Sequence, residues 1–277
     1  MLRGFYTAAT GMIAQQRRTE MLTNNLSNAR TPGFKADQSS MRAFPEMLLR
    51  SFDKATVPAE KGLRLPGSNL VGGLNTGVYM QEAVPAFQQG DLNETGNKTD
   101  IALIDVTMPV NAENGRQSSV FYTVMHKGAI CYTRNGNFTL DQEKYLTTAG
   151  GYYVLDNQGE RIRLNSDQFA VGGNGDIYEN EQRVARLGIA YAENPYALVK
   201  EADSMYYSAE AGPLPVAETV PGVQFSLQQG ALERSNVDVS RTMTEMMTAY
   251  RAFEANQKVL QAYDRSLEKA VNEIGKV

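Results

Sequence analysis

VDVSRTMTEMMTAYRAFEANQKVLQAYDRSLEKAVNEI, residues 237–274, decides the architecture of this chain. Val239, Met243, Met246, Tyr250, Phe253, Gln257, Leu260, Asp264, Leu267, Val271 and Ile274 step by four and three without a break, a heptad seam whose polar members are Gln257 and Asp264. A helix packed on a sheet presents a broader and less strictly spaced apolar face, so the pattern predicts a coiled-coil helix. Ser235-Asn236-Val237-Asp238 supplies its start with Ser235 as the cap, and from Asn236 to Ile274 it would run roughly 55–60 Å at 1.5 Å per residue.

The other end of the chain carries a shorter form of the same signal. Leu2, Phe5, Ala9, Met12, Leu22 and Leu26, with Ala8 and Ile13 beside them, predict an amphipathic helix ending near Asn28. It runs into NNLSNARTPGFK, residues 24–35, where Thr31-Pro32-Gly33-Phe34 reads as a type II turn. Pro32 presets φ, and Gly33 supplies a positive φ that Asn could adopt at modest cost.

Between the helices the grammar changes. Residues 36–77 hold Pro45, Pro58 and Pro66 with Gly62, Gly67, Gly72, Gly73 and Gly77, and without a sustained period they read as an extended connector. From Val78 to about Leu227 short β-type runs alternate with turn signals. ICYTR-NG-NFTL at 130–140, YLTT-AGG-YYVL at 145–155, DNQG at 156–159 and GGNG at 172–175 all read as hairpins. The expected fold is a mainly β central domain with N- and C-terminal α-helices that pair as a coiled coil, α+β overall. Its expected divisions are a terminal helical assembly domain of residues 1–35 plus 236–277, the connector at 36–77, and a β-rich central domain at 78–235. About 27 residues of first helix cannot cover about 40 of second, which leaves apolar surface for other chains.

Composition narrows the function. With 27 basic against 31 acidic residues and no run of Lys or Arg, the chain lacks the electrostatic footprint of a nucleic-acid binder. One cysteine, Cys131, and one histidine, His126, exclude an internal disulfide and the usual Cys/His zinc clusters. Arg3 is not followed by an apolar run of signal-peptide type, and nowhere do 18 apolar residues stand together, so neither a cleaved signal nor membrane insertion is expected. No G-x-S-x-G, G-x-x-x-x-G-K-[ST] or H-E-x-x-H is present, and His126 and Cys131 read as ordinary strand residues. DNQGE fails the EF-hand spacing at Gln158. No catalytic residue, cofactor or metal is expected. An enzyme of the cell-wall-processing kind would need paired carboxylates, and Asp141, Glu143, Asp156 and Glu160 stand at turns, where charged residues occur regardless.

LRGFYTAATGMIAQQRRTEMLTNNLSNARTPGFK at residues 2–35 resembles the N-terminal signature of the bacterial flagellar rod and hook proteins. GALERSNVDVSRTMTEMMTAYRAFEANQKVLQAYDRSL at 230–267 resembles their C-terminal one, and FQQGDLNETGNKTDIAL at 87–103 and CYTRNGNFTLDQEKYLTTAGGYYVL at 131–155 extend the likeness through the β region. Length and a short middle make the chain most similar to the distal rod subgroup, with a hook or hook-junction component as the alternative. One departure stands out. After Ile101-Ala102-Leu103 the family usually continues through a Gly-rich, Phe-Phe segment, whereas this chain has Ile104-Asp105-Val106-Thr107-Met108-Pro109.

The resemblance implies a non-enzymatic subunit of the flagellar basal body, passed unfolded through the flagellar export apparatus without a cleaved signal. Its partners would be copies of itself and other rod and hook proteins, stacked as a tube with the terminal helices inside and the β domain outside. The interface expected on that basis comprises Leu2, Phe5, Met12, Asn24, Asn25, Leu26, Asn28, Pro32, Gly33 and Phe34 on the N-terminal side. On the C-terminal side it comprises Asn236, Val239, Met243, Met246, Tyr250, Phe253, Asn256, Leu260 and Leu267. The asparagine amides would join backbone groups of neighbouring chains, although Asn28 as a simple C-terminal helix cap is the competing reading.

Overall fold

A computed structural model describes residues 2–51, 54–56, 64–66, 69–111, 115–201, 204–208 and 212–274. Pro58, Gly62 and Gly67 of the expected connector, and the side chains of Leu2 and Ile274, lie outside what is described. The chain divides into two compact units, Met1–Asn24 with Gln38–Ala83 and Ser240–Val277, and Asn25–Asp37 with Val84–Val239.

The first unit holds nearly all of α1 (Leu2–Ser27) and α2 (Val239–Lys269), the latter continued by a π-helical turn at Ala270–Ile274. α2 begins later than its sequence suggests. Ser235 Oγ accepts the Val237 N–H at 3.4 Å, while the Asn236 amide donates to the carbonyls of Ala86 and Gln88, so the expected first turn is spent on other partners. The stretch without a sequence period is not a bare connector. Met41–Ala43 pairs with Val78–Met80, Met47–Ser51 with Asn69–Leu74 and Lys54–Thr56 with Arg64–Pro66, three antiparallel ladders in line along the chain. Met47, Leu48, Leu70 and Val71 are exposed, so neither face of this ladder is a core face and no alternation had to appear in the sequence. Its base meets α1, where the Thr10 hydroxyl stands close against Gly77 and accepts the Val78 N–H at 3.4 Å.

The second unit is built on an eight-stranded antiparallel sheet. Seven strands follow the order Phe138–Leu140, Leu146–Thr148, Tyr153–Val154, Ser119–His126, Ala129–Thr133, Met205–Ser208 and Leu198–Lys200, and Ile189–Ala192 pairs with the first half of Ser119–His126. Ile101–Thr107 pairs separately with Gln224–Gln229, and Ala170–Val171, Asp176–Glu179 and Gln182–Arg186 form a meander. Ile101, Leu103, Val120, Tyr122, Val124, Phe138, Leu146, Val154, Leu164 and Ile177 make one continuous core. Phe87, Phe121, Tyr132 and Tyr206 make a second, aromatic one.

Turn chemistry was legible at three of the four expected hairpins. At 145–155 the Gly151 N–H bonds Thr148 O, at 156–159 the Asp156 N–H reaches Glu160 O, and at 172–175 the Gly172 N–H reaches Asp176 O. The fourth, ICYTR-NG-NFTL, is not a hairpin. Ala129–Thr133 pairs with Ser119–His126 and Met205–Ser208, and Phe138–Leu140 pairs with Leu146–Thr148. Asn135-Gly136 instead carries the chain from one strand pair to the next. The Ile101 N–H donates to Gly136 O at 3.0 Å, and the Ile101 carbonyl lies where a Cβ on Gly136 would be. The turn that does close the pair is Lys127-Gly128, with φ of 49° and 84°.

The turn after α1 has the expected form, with φ of +67° at Gly33 and the Phe34 N–H donating to Thr31 O at 3.3 Å. A second constraint was not legible. A Cβ on Gly33 would stand 2.6 Å from the Asn135 nitrogen, against the backbone of Arg134. Positive φ alone admits Asn, but this contact admits no side chain. Gly33→Ala and Gly33→Asn are therefore expected to lower the melting temperature by similar amounts. Thermal unfolding checks this, and a near-normal Gly33→Asn would reduce the requirement to backbone conformation alone.

Candidate functional site

The expected assembly residues fall at two places, the helical seam and the turn region that follows α1. On the seam, α1 and α2 touch in antiparallel sense. Tyr263 Oη packs where a Cβ of Gly4 would be, Asn256 Nδ2 lies 3.0 Å from the Cβ position of Gly11, Arg18 pairs with Glu245 at 3.4 Å, and Thr23 Oγ1 donates to Met246 Sδ at 3.7 Å. From Gly4 through Gly11 to Arg18 the partner number falls from 263 through 256 to 245.

This contact face is offset from the seam of large apolar residues. Met246, Phe253, Leu260 and Leu267 are half-buried. The intervening places are taken by Thr242, Ala249, Asn256 and Tyr263, one position before Met243, Tyr250, Gln257 and Asp264. Ala249 is 1% exposed, while Met243 and Tyr250 are 50% and 56% exposed. Small α2 residues suit the small face of α1, where Ala8 and Ala14 are buried and Gly4 and Gly11 admit the ends of longer side chains. Val239, Met243, Met247 and Tyr250 are left as an exposed apolar stripe on the first three turns of α2. Beyond it the same side turns polar at Glu254, Gln257, Gln261 and Asp264. On α1, Met12 is half-buried, and Phe5, Tyr6 and Ile13 are exposed.

At the turn region the asparagines work within the chain. Asn25 is buried and brackets Asp37, its Nδ2 donating to Asp37 O at 2.8 Å and its Oδ1 accepting the Asp37 N–H at 2.9 Å. Asn236 does the same across chain segments, accepting the Ala36 N–H at 2.7 Å and donating to Ala86 O and Gln88 O. Asn28 Oδ1 accepts the Thr31 hydroxyl, and its carbonyl accepts the Thr31 N–H, so it ends the helix. Asn24 is exposed, Leu26 and Pro32 are half-buried, and Phe34 is buried with the Lys200 ammonium 4.1 Å from its ring centroid.

Under this turn lies a cluster of charges that the sequence reading did not pick out. Lys35, Arg134 and Glu233 are each at most 2% exposed. Glu233 Oε1 accepts from Lys35 Nζ at 2.6 Å and from the Gly90 N–H at 2.9 Å, and its Oε2 accepts from Arg134 Nε at 3.0 Å. The Arg134 guanidinium also reaches Asp105 Oδ1, Val120 O and Leu103 O. Asp105 lies in the Ile101–Thr107 strand, at an irregularity where the register shifts between Asp105 and Thr107. Burial by itself would raise the Glu233 carboxyl, but the positive charges of Arg134 and Lys35 and the bonds from Lys35 and Gly90 hold it below its ordinary value. Burial, aided by repulsion from Arg134, lowers Lys35, and Glu233 pulls it part of the way back. Arg134 is raised; burial opposes that shift, and the charges of Glu233 and Asp105 outweigh it.

His126, Cys131 and the turn carboxylates have ordinary surroundings. His126 Nδ1 lies 3.1 Å from Tyr207 Oη, and burial pushes the Cys131 thiol up, away from a nucleophilic thiolate. Asp141 and Asp156 each accept two N–H bonds of their own turns. Among the described residues no group of three or more His, Cys, Asp or Glu could hold a metal, and no helix is long and apolar enough to cross a membrane.

The profile described as flagella basal body rod protein matches residues 5–35. The flagellar hook protein FlgE/F/G D1 domain matches 117–179, and the flagellar basal body rod FlgEFG protein C-terminal region matches 228–273. The flagellar hook-basal body complex protein FlhO of Bacillus subtilis is 44% identical over 100% of both chains. The flagellar basal-body rod protein FlgG of Borreliella burgdorferi is 30% identical over 98% of each. The chain belongs to the flagellar basal-body rod protein family. It is accordingly a structural protein of the flagellar basal body and not an enzyme. The flagellar basal-body rod protein FlgF of Caulobacter vibrioides is similar over its full length as well, at 27% identity. The matched segments at 5–35 and 228–273 contain both Lys35 and Glu233 of the buried cluster.

The cluster makes a pH-dependent prediction for this rod-family chain. Glu233 has a folded value below its unfolded one of about 4.5, so its stabilisation is complete above that value and is lost as pH falls through the folded value. Removing one partner of a buried ion pair costs about 3–5 kcal/mol, which sets the expected deficit of Glu233→Gln at neutral pH. Urea unfolding should show that deficit narrowing below the unfolded value, because the wild type then loses the same charge. A constant deficit from neutral pH into acid would mean that Glu233 is not the ionised partner.

Proposed function

We propose that the chain is a structural subunit of the distal rod and that residues 1–35 with 236–277 form its assembly domain, the two helices pairing as a coiled coil. The observation that carries this reading is the exposed stripe of Val239, Met243, Met247 and Tyr250. A helix that has satisfied one face against its own chain and keeps a second apolar face in water presents a contact surface for another chain. Phe5, Tyr6 and Ile13 on α1 add exposed apolar area of the same kind. The partners are copies of this chain and other axial rod and hook proteins, delivered by the flagellar export apparatus, with no role for nucleic acid or membrane insertion. The similarity at 117–179 to a domain profile named for hook as well as rod proteins keeps a hook or hook-junction position as the second reading.

The two faces of α2 separate the tests. Met246 is half-buried and meets Thr23, so a charge there disturbs the chain's own helix pair. Met243→Asp combined with Tyr250→Asp alters only exposed positions. That variant should unfold at a temperature near the wild type's and be exported normally, yet be missing from purified basal bodies and abolish motility. Wild-type motility with normal incorporation would refute an assembly role for this stripe. Electron microscopy of basal bodies from a deletion strain addresses position, since loss of the distal rod segment supports the first reading and a complete rod without a hook supports the second.

A further inference from the structure

The segments that follow α1 and precede α2 meet a third, residues 86–91, in a mesh of bonds that run from one segment to another. The Gly33 N–H donates to Glu233 O at 2.8 Å, the Arg234 N–H to Asp91 O at 2.8 Å, and the Asn236 N–H to Phe34 O at 3.4 Å. Lys35 Nζ donates to Gln88 O at 2.7 Å, and the Asn236 side chain joins Ala36 to Ala86 and Gln88. Close approach reinforces these bonds, because the Arg234 carbonyl occupies the place of a Cβ on Gly90.

The mesh is rooted through Arg134, which is fully buried and draws in the strands that carry Leu103, Asp105 and Val120. A buried polar network in this state is all or none. If the segment after α1 opened alone, Glu233 would lose Lys35, and if the segment before α2 opened alone, Lys35 and Arg134 would both lose Glu233. Each partial opening takes one ionic partner from a buried charge, Lys35 from Glu233 in the first case and Glu233 from Lys35 and Arg134 in the second.

We propose that Lys35, Glu233 and Arg134 form a latch that makes the segments flanking the two terminal helices dock on the β domain as one cooperative unit, so that loss of a charge from either segment releases both. The two ends of the chain, nearly 200 residues apart at Lys35 and Glu233, therefore share one opening event.

Amide hydrogen exchange on the full chain tests this. Lys35→Met removes a charge from the first segment and leaves Glu233 bonded to Arg134 and Gly90. The Arg234 amide, whose own bond to Asp91 O does not involve Lys35, should then exchange at least tenfold faster, by about the same factor as Gly33, with the core amides of Val120 and Val124 unchanged. Leu146→Ala destabilises the core elsewhere and should leave Gly33 and Arg234 with their wild-type rates at low denaturant. Acceleration confined to Gly33, uniform acceleration through the β domain, or no acceleration would each overturn the proposal. Should Lys35→Met not fold, the wild type still decides. Under increasing sub-denaturing guanidinium, Gly33 and Arg234 must follow one opening isotherm with one slope, and two separate isotherms would overturn a shared latch.

Discussion

Three buried charges, Lys35, Arg134 and Glu233, with Asp105 at their edge, constrain how this chain can close on itself. The Arg134 guanidinium offers five donors, and Asp105, Glu233 and the carbonyls of Leu103 and Val120 receive four of them. Such a cluster is a poor source of net stability, because desolvation cancels much of the attraction. Its effect is on specificity. Any arrangement of the chain that misplaces Glu233 relative to Arg134 and Lys35 strands a charge in the core, whereas a misplaced leucine would cost little. The turn at Gly33 and the start of α2 obey the same demand, since Gly33 approaches Arg134 closely and α2 begins after Asn236 has found its partners.

The helices were legible because heptad spacing survives any packing arrangement, but the phase of the seam was not. Sequence reading gives weight to large apolar residues, so it put Met243 and Tyr250 on the seam, whereas the positions buried within the chain are Thr242 and Ala249. Helices that approach closely bury small residues, and α1 presents Gly4, Ala8 and Gly11 on its contact face. The two glycines stand seven apart, as do Asn256 and Tyr263 opposite them. That matched spacing is a signal in the sequence that fixes the phase without reference to hydrophobicity.

In the β region, local chemistry predicted local structure and failed where distant residues decide. The Asp156 and Gly172 turns close on themselves through bonds within a few residues. Asn135-Gly136 has the stronger hairpin signature by composition, yet Arg134 beside it is drawn into the buried cluster and Gly136 is held against Ile101. An arginine flanking an Asn-Gly turn reads as a solvated residue from sequence, and only the position of Glu233, 99 residues away, shows otherwise. The ladder at 41–80 was missed for the opposite reason. Pairing there rests on backbone bonds with apolar residues left exposed, so no buried face imprinted its alternation.

Asparagine recurs where the helices give way to extended chain, and the bonding shows why that residue type suits the position. A strand leaving a helix has N–H and C=O groups on one edge with no neighbouring strand to satisfy them. The carboxamide sets an NH2 with two donors beside an acceptor oxygen, so Asn25 satisfies both backbone groups of Asp37 and Asn236 supplies Ala36, Ala86 and Gln88 together. Aspartate could accept but not donate, and leucine could do neither. The inner edges of these turns are thus consumed by the chain's own backbone, while the helices keep exposed apolar side chains such as Phe5, Ile13, Met243 and Tyr250. Polar complementarity fixes how the segments of one chain meet, while apolar side chains of the helices stay exposed.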